Sequence, residues 1–437
     1  ELGFDYLVSV TGVDWNETLG CMYYLTNTET NEKISVKVAT ADREKPMLHS
    51  VTDFWKVALL QEREVFDFYG IVFIGHPDMR RLFMRTDWVG YPLRKDYDAN
   101  PELNPLRLDA EENEDDSFVV TEDENGKLTK TDYKIFGEND YVVNFGPQHP
   151  STHGVMRLRC AIDGETINKV VPVCGYIHRG VERLCEKERA TTTACEYGFR
   201  EREQILDIIE KTTGGRMSQH YHVIGGVAAD VHPDFIKDVR ELLAIMPARV
   251  AEYHKLFTGN IITEKRTIGV GVVSKDDVIS YGTSGPNGRA SGWSCDVRKC
   301  SPYAVYDELQ FDEVIHNEGD SFARYMVRMD EVMQCVKLLE QLCDMLEKEE
   351  GNEIAALKVP KIIKLPAGHW FQEVEASRGA FGVYIESDGG KSPYRMHFNS
   401  PCLNHVGAVD KYCAGYKIAD LITISASMDY VIPDIDR

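Results

Sequence analysis

Hydrophobic and polar positions alternate first with a strand period, then with a helical one. "YLVSV" (6–10) and "KISVKVAT" (33–40) cluster or alternate β-branched residues, which predicts strands. "MYYLTNTETNEKISVKV" sets polar turn residues between two such runs, a hairpin signal. "SVTDFWKVALLQEREVFDFYG" then changes period. Val51, Phe54, Trp55, Ala58 and Leu59 can share a helix face, with Glu62 and Glu64 at its end. Further on, helices are expected over "CGYIHRGVERLCEKER", "FREREQILDIIEKTTGGRM" and "DFIKDVRELLAIMPARVAEYHKLF". The clearest helical pattern runs from Ser321. Phe322, Tyr325, Met329, Val332, Val336, Leu339, Leu342 and Leu346 recur every three or four residues, with Asp320 as N-cap and Gly351 as stop. Such a stripe is expected to be core rather than a cofactor site. "KIADLITISASMDYVI" (417–432) is apolar and expected to be buried.

Between these regimes lies a break. Asp109, Glu111, Glu112, Glu114, Asp115 and Asp116 crowd into eight positions. Like charges at that density repel and cannot form a core, which predicts a solvated linker. The expected organisation is a small mixed α/β domain (1–97), an acidic linker (98–140) and a mainly helical domain with minor sheets (141–437). Together they make an α+β chain.

Composition narrows the function. The 437 residues carry a net charge of −22, which disfavours nucleic acid and anionic lipid as partners. No window reaches 18 uninterrupted apolar residues, so no transmembrane helix is expected. The first twenty residues lack the pattern of a secretory signal. Eleven cysteines, irregularly spaced and without a C-x-x-C pair, read as core thiols of a reduced, cytoplasmic protein. Neither G-x-G-x-x-G after a strand nor a Walker sequence is present, so no nucleotide site is expected.

The candidate chemistry sits in "NFGPQHPSTHGVMRL", where His149 and His153 stand four apart in a loop stiffened by Gly146, Pro147, Pro150 and Gly154. Imidazoles titrate near neutral pH and can pass protons, although histidines in such loops are ordinarily turn or surface residues. Cys174, His178, Val181 and Cys185 would share one face of a helix. Their spacing matches no short zinc pattern, and no metal is expected. Arg80, Arg81, Arg94 and Lys95, among Trp88, Tyr91 and Pro92, form a basic and aromatic patch. Such a patch suits either docking to a protein or a solvated loop.

Two resemblances organise these motifs. "EREVFDFYGIVFIGHPDMRRLFMRTDWVGYPLRKDY" (62–97) resembles the signature of the C-type subunit of bacterial respiratory complex I, the NADH:quinone oxidoreductase, over about thirty-six residues. "YVVNFGPQHPSTHGVMRLRCAIDGETI", "GYIHRGVERL", "FREREQILDIIEKTTGGRM", "GGVAADV", "DVRKCSPY", "EASRGAFGVYIESDGGKSPYR" and "DIDR" resemble, in order, motifs of the D-type subunit. The chain therefore looks like a C–D fusion, with the acidic stretch at the junction. The resemblance implies that the first segment docks the chain against its neighbours. It implies a second domain like the large subunit of nickel–iron hydrogenases, here without the two cysteine pairs that a nickel centre needs.

In that family His153 would be the quinone headgroup ligand and proton donor, and His149 its less direct neighbour. Arg179 would lie close to an iron–sulfur cluster held by a partner, where a fixed positive charge favours the reduced cluster. An ordinary helical pair of Arg179 with Glu182 is the bland alternative. Further implications are menaquinone or ubiquinone as substrate, and the cluster-bearing B-type, the I-type and the membrane H-type subunits as partners. The location would be peripheral, on the cytoplasmic side of the bacterial inner membrane. A non-catalytic scaffold is the competing reading. Two departures stand out. The family carries several tens of residues between the HRG and FRERE motifs, including a quinone-binding tyrosine, and here the motifs nearly join. After "GGRM" Ser218 replaces the usual histidine, with His220 and His222 nearby.

Overall fold

Strand β1 (Tyr6–Asp14) is buried along its entire length, because both of its faces are covered. It pairs antiparallel with β2 (Leu19–Thr26), and β2 with β3 (Lys33–Ala39), as the hairpin signal predicts. The structure is a computed structural model and describes residues 3–40, 42–97, 115–147, 154–183, 199–216, 219, 221–349, 354 and 364–437. Helix α1 (Ala58–Tyr69) packs on β1. It starts at Ala58 rather than at Val51, where the periodicity places it. Residues 51–57 are turns and irregular backbone, and Phe54, expected on the core face, is 75% exposed. Consequently Glu62 and Glu64 do not end the helix. They lie in its middle, buried. Gly70 ends it instead, at φ 73°, with its N–H donating to the Phe66 carbonyl at 2.8 Å.

A short parallel pair, β4 (Met47–His49) and β5 (Val72–Ile74), follows. The stretch expected to be linker divides. Residues 98–114 lie outside the described residues. The remainder contains a hairpin, β6 (Asp116–Glu122) with β7 (Leu128–Lys134). Strand β7 is exposed throughout, but Val120 is buried on β6, and the hairpin docks on the preceding unit. Gly75 donates to the Val120 carbonyl at 2.8 Å, and Tyr133 to that of Pro77 at 2.5 Å. Charge density hid the aromatic and β-branched run "FVVT" that makes this strand.

Beyond it, β8 (Tyr141–Phe145), β9 (Arg157–Asp163) and β10 (Thr166–Val173) form an antiparallel sheet in the order β10-β9-β8. The main helices are α2 (Phe199–Thr213), α3 (Phe235–Tyr253) and α4 (Ser321–Leu346), close to the expected spans. A two-residue pair, β11 (His222–Val223) with β12 (Gly226–Val227), separates α2 from α3. Asp320 caps α4, accepting from the Ala323 N–H at 2.7 Å. The expected stop, Gly351, lies outside the described residues. The predicted stripe of α4 is mostly half-buried, and Leu339 is 40% exposed. The buried apolar positions are Ala323, Val327, Val336, Leu338 and Cys343. The reason is that α4 touches different neighbours along its length, including α3, so no single face is the core face. Strands β13 (Gly368–Ala376), β14 (Gly379–Ser387) and β15 (Arg395–Asn399) make another three-stranded antiparallel sheet. Helices α5 (Pro401–Gly407), α6 (Ile418–Met428) and α7 (Ile432–Ile435) close the chain.

One hydrophobic core runs through both halves. Leu7, Val10, Val65, Phe68 and Ile71 cluster with Leu158, Leu403, Val406, Ile424, Met428 and Ile432. Polar joins accompany it. Gln61 Nε2 donates to Asn404 Oδ1 at 3.0 Å, Asn399 Nδ2 to the Val8 carbonyl at 3.0 Å, and Tyr394 Oη to that of Asp14 at 2.7 Å. Among the described residues no helix is long and apolar enough to cross a membrane.

Candidate functional site

The histidine loop connects a hairpin. Phe145 of β8 pairs with Leu158 of β9, so residues 146–156 are the connection between two adjacent strands. His149 and His153 lie outside the described residues, as do Cys185, Ser218 and His220, but both feet of the histidine loop are placed. At one foot the Met156 N–H donates to the Pro147 carbonyl at 3.0 Å. At the other, Gly154 lies against α7. A Cβ there would come within 2.8 Å of Ile432 and 2.9 Å of Pro433, so a larger residue would push the loop off the C-terminal segment.

That segment also holds the turn bearing Arg179. The expected helix over 174–189 is not seen in its first turns. Residues 174–180 form a turn, and helical geometry begins only at Val181. Gly175 and Gly180 adopt φ of 97° and 65°, which a continuous helix cannot include. Cys174 and His178 therefore do not share a helical face. Burial raises the Cys174 thiol, which disfavours the thiolate that a metal would need. The Asp436 carboxylate accepts from the N–H groups of Gly175 (2.9 Å) and Ile177 (3.1 Å). Arg179 is exposed, and among the described residues its guanidinium has no carboxylate partner.

Glu182, the bland candidate for that pairing, points inward instead. It lies in a buried ionic knot assembled from four distant motifs. Glu182 Oε2 accepts from Arg395 Nη1 at 2.8 Å, and Oε1 from Arg437 Nε at 3.0 Å and from the Phe398 N–H at 3.0 Å. His397 Nδ1 is 2.9 Å from Glu182 Oε1. Arg437 Nη2 donates to Glu64 Oε1 at 2.8 Å, carrying the knot into α1. Burial alone would raise the Glu182 carboxyl. Arg395, His397 and Arg437 outweigh it and hold that carboxyl well below the usual range. Glu64, Glu182 and His397 bring donor atoms within 4.8 Å of one another, close enough for an ion. The two guanidinium groups already occupy those carboxylate oxygens, so the arrangement is an ion-pair junction rather than a metal centre.

Nothing local in the sequence joins the motifs of this knot. Glu64 and Arg437 are 373 positions apart, and no local period can reveal such a contact. The only available signal was charge inside otherwise apolar signatures, as in "EREVFDFYG". The basic patch also turns inward. Arg81 donates to Asp67 Oδ1 at 2.8 Å and to the carbonyls of Trp88 and Gly90. Arg80 pairs with Asp78, Arg94 donates to the Tyr69 carbonyl, and Lys95 reaches the Tyr394 carbonyl in the other half of the chain. Docking by this segment is thus in part intramolecular.

Sequence comparison is consistent with this two-part architecture. Residues 1–102 match the family described as "Respiratory-chain NADH dehydrogenase, 30 Kd subunit", and residues 189–437 the family "Respiratory-chain NADH dehydrogenase, 49 Kd subunit". The C/D-type subunit of NADH-quinone oxidoreductase from Phocaeicola vulgatus is 46% identical, over 99% of this chain and 95% of the relative. That of Nitrosospira multiformis is 31% identical over 95% of this chain and 82% of the relative. The D-type subunit of the Desulfotalea psychrophila enzyme is 36% identical over 69% of this chain and 98% of the relative. The first alignment spans 500 positions, 63 more than the 437 residues of the chain. The alignment therefore includes at least 63 positions at which that relative has residues and this sequence has none.

Proposed function

Because the chain belongs to the family of fused C/D-type subunits of NADH-quinone oxidoreductase, we propose that it works in the peripheral arm of respiratory complex I and forms part of the quinone site there. The observation that carries this reading is the shared anchorage of two elements. Gly154, the residue that follows His153 in the chain, packs against α7, and the turn bearing Arg179 hangs on Asp436 just after α7. The chain that leads out of the histidine loop and the turn that carries Arg179 thus both meet the C-terminal segment.

Quinone reduction consumes two electrons and two protons. His153 donates a proton to a headgroup oxygen, and His149 supports it within the same loop. Electrons come from an iron–sulfur cluster of a partner, beside which Arg179 holds a fixed positive charge. The partners are other complex I subunits, with the B-type subunit as cluster carrier, the I-type subunit next to it and the membrane H-type subunit supplying menaquinone or ubiquinone. The location is the cytoplasmic side of the bacterial inner membrane, reached through those partners. The second half has the fold of the nickel–iron hydrogenase large subunit. The additional positions of the Phocaeicola relative match in size the tyrosine-bearing stretch expected between "HRG" and "FRERE".

The experiment is His153→Ala in the assembled complex. Quinone reduction and quinone-site inhibitor binding should fall at least about tenfold, in line with the loss of a positioned proton donor, while NADH oxidation with an artificial acceptor persists. Unchanged quinone reduction would leave this chain as a scaffold.

A further inference from the structure

The turn bearing Arg179 is gripped from the N-terminal half as well as by Asp436. The His178 ring forms an offset, near-parallel cluster with Phe68 of α1 and Phe83, with centroids 5.4 and 5.5 Å away and planes inclined by 26° and 13°. The two phenyl rings stack on each other at 5.7 Å. Both phenylalanines are buried. Phe83 is itself fixed, since its N–H donates to Asp67 Oδ2 at 2.7 Å. The backbone closes the same contact: a Cβ on Gly175 would lie 2.2 Å from the Phe83 carbonyl oxygen. The contact therefore depends on glycine at that position, and the turn has little room to shift.

We propose that Phe68 and Phe83 are positioning residues for Arg179, acting through the His178 ring. By this device the N-terminal half sets the charge beside the partner's cluster. The inference rests on the reading of Arg179 given above. The field of a guanidinium falls with distance. A turn released on one side carries the charge away from the cluster and weakens the preference for its reduced state.

The test is redox titration of the complex, monitored by electron paramagnetic resonance of the adjacent cluster, for Arg179→Met, His178→Ala, His178→Phe and Phe83→Leu. Arg179→Met should lower the midpoint potential. His178→Ala and Phe83→Leu should lower it in the same direction by a smaller amount. His178→Phe preserves the ring cluster and should keep the potential of the unaltered protein. A shift in Arg179→Met with none in His178→Ala and Phe83→Leu overturns the positioning role alone. So does a shift in His178→Phe equal to that of His178→Ala, because the imidazole itself would then be the cause. No shift in Arg179→Met sinks the Arg179 reading and takes this inference with it. If His178→Ala fails to assemble, Phe83→Leu against His178→Phe gives the same decision.

Discussion

Glu62 is a carboxyl that α1 turns fully inward, where the Ser50 hydroxyl (2.7 Å) and the Val51 N–H (2.8 Å) donate to it. Burial pushes it up to about 7, against the pull of those two donors. The folded state thus keeps the proton over a window, from roughly pH 4.3 to 7, in which the unfolded chain has lost it. Stability should fall as pH rises through that window and level off above it, by about 3.5 kcal/mol in all. Glu62→Gln should remove the slope and be the more stable form at pH 8, as read from denaturant unfolding at pH 5 and pH 8. Equal slopes in the two proteins would refute this. Glu182 has the opposite sign. Its folded value is depressed, so its contribution is present above the ordinary carboxylate range and is lost on acidification. Arg437→Met would leave Glu64 and Glu182 short of a buried counter-charge and should cost about 3–5 kcal/mol. Adding Glu64→Gln should recover part of that loss, and a purely additive double mutant would show that the two side chains do not interact.

Single elements differ in how plainly the sequence announces them. The hairpin of β2 and β3 and the long helix α4 were readable, because each rests on a local period and, for α4, on a cap. The turn at 174–180 was not, because the positive φ of Gly175 and Gly180 outweighs an apolar spacing that suits a helix. Which face of α4 is buried was also illegible, since that depends on neighbours remote in sequence. The adjacent residues Leu338 and Leu339 separate the two readings. Leu338 packs with Leu309 and Phe311, whereas Leu339 is 40% exposed. Leu338→Ala should destabilise by about 2–5 kcal/mol, and Leu339→Ala by less than about 1 kcal/mol. Thermal unfolding of the isolated chain reads the difference, and the reverse ranking would mean the stripe is the core face after all. Of the candidate site, the residue types in the histidine loop and Arg179 could be named from motifs. The convergence of their flanking residues on the C-terminal segment could not, because Gly154 meets Ile432, and Gly175 meets Asp436, only in three dimensions.

The whole chain reads as two subunits in sequence and folds around one core. The acidic stretch marks where two signatures meet, yet β1 and α1 bury their apolar faces in the same cluster as α5, α6 and α7. A core shared in this way does not need the covalent connection to persist. Fully burying each large apolar side chain contributes about 1.5–3 kcal/mol, and the Glu64–Arg437 and Gln61–Asn404 contacts cross the same boundary. Cutting the chain at a protease site inserted near Pro105 should therefore leave the two pieces associated. They should elute together in size-exclusion chromatography at the mass of the intact chain and separate only in denaturant. If the pieces part as two independently folded species in native buffer, the single-core account fails. The N-terminal half could not then hold the Arg179 turn through a standing contact, and any coupling between them would depend on the rest of the complex.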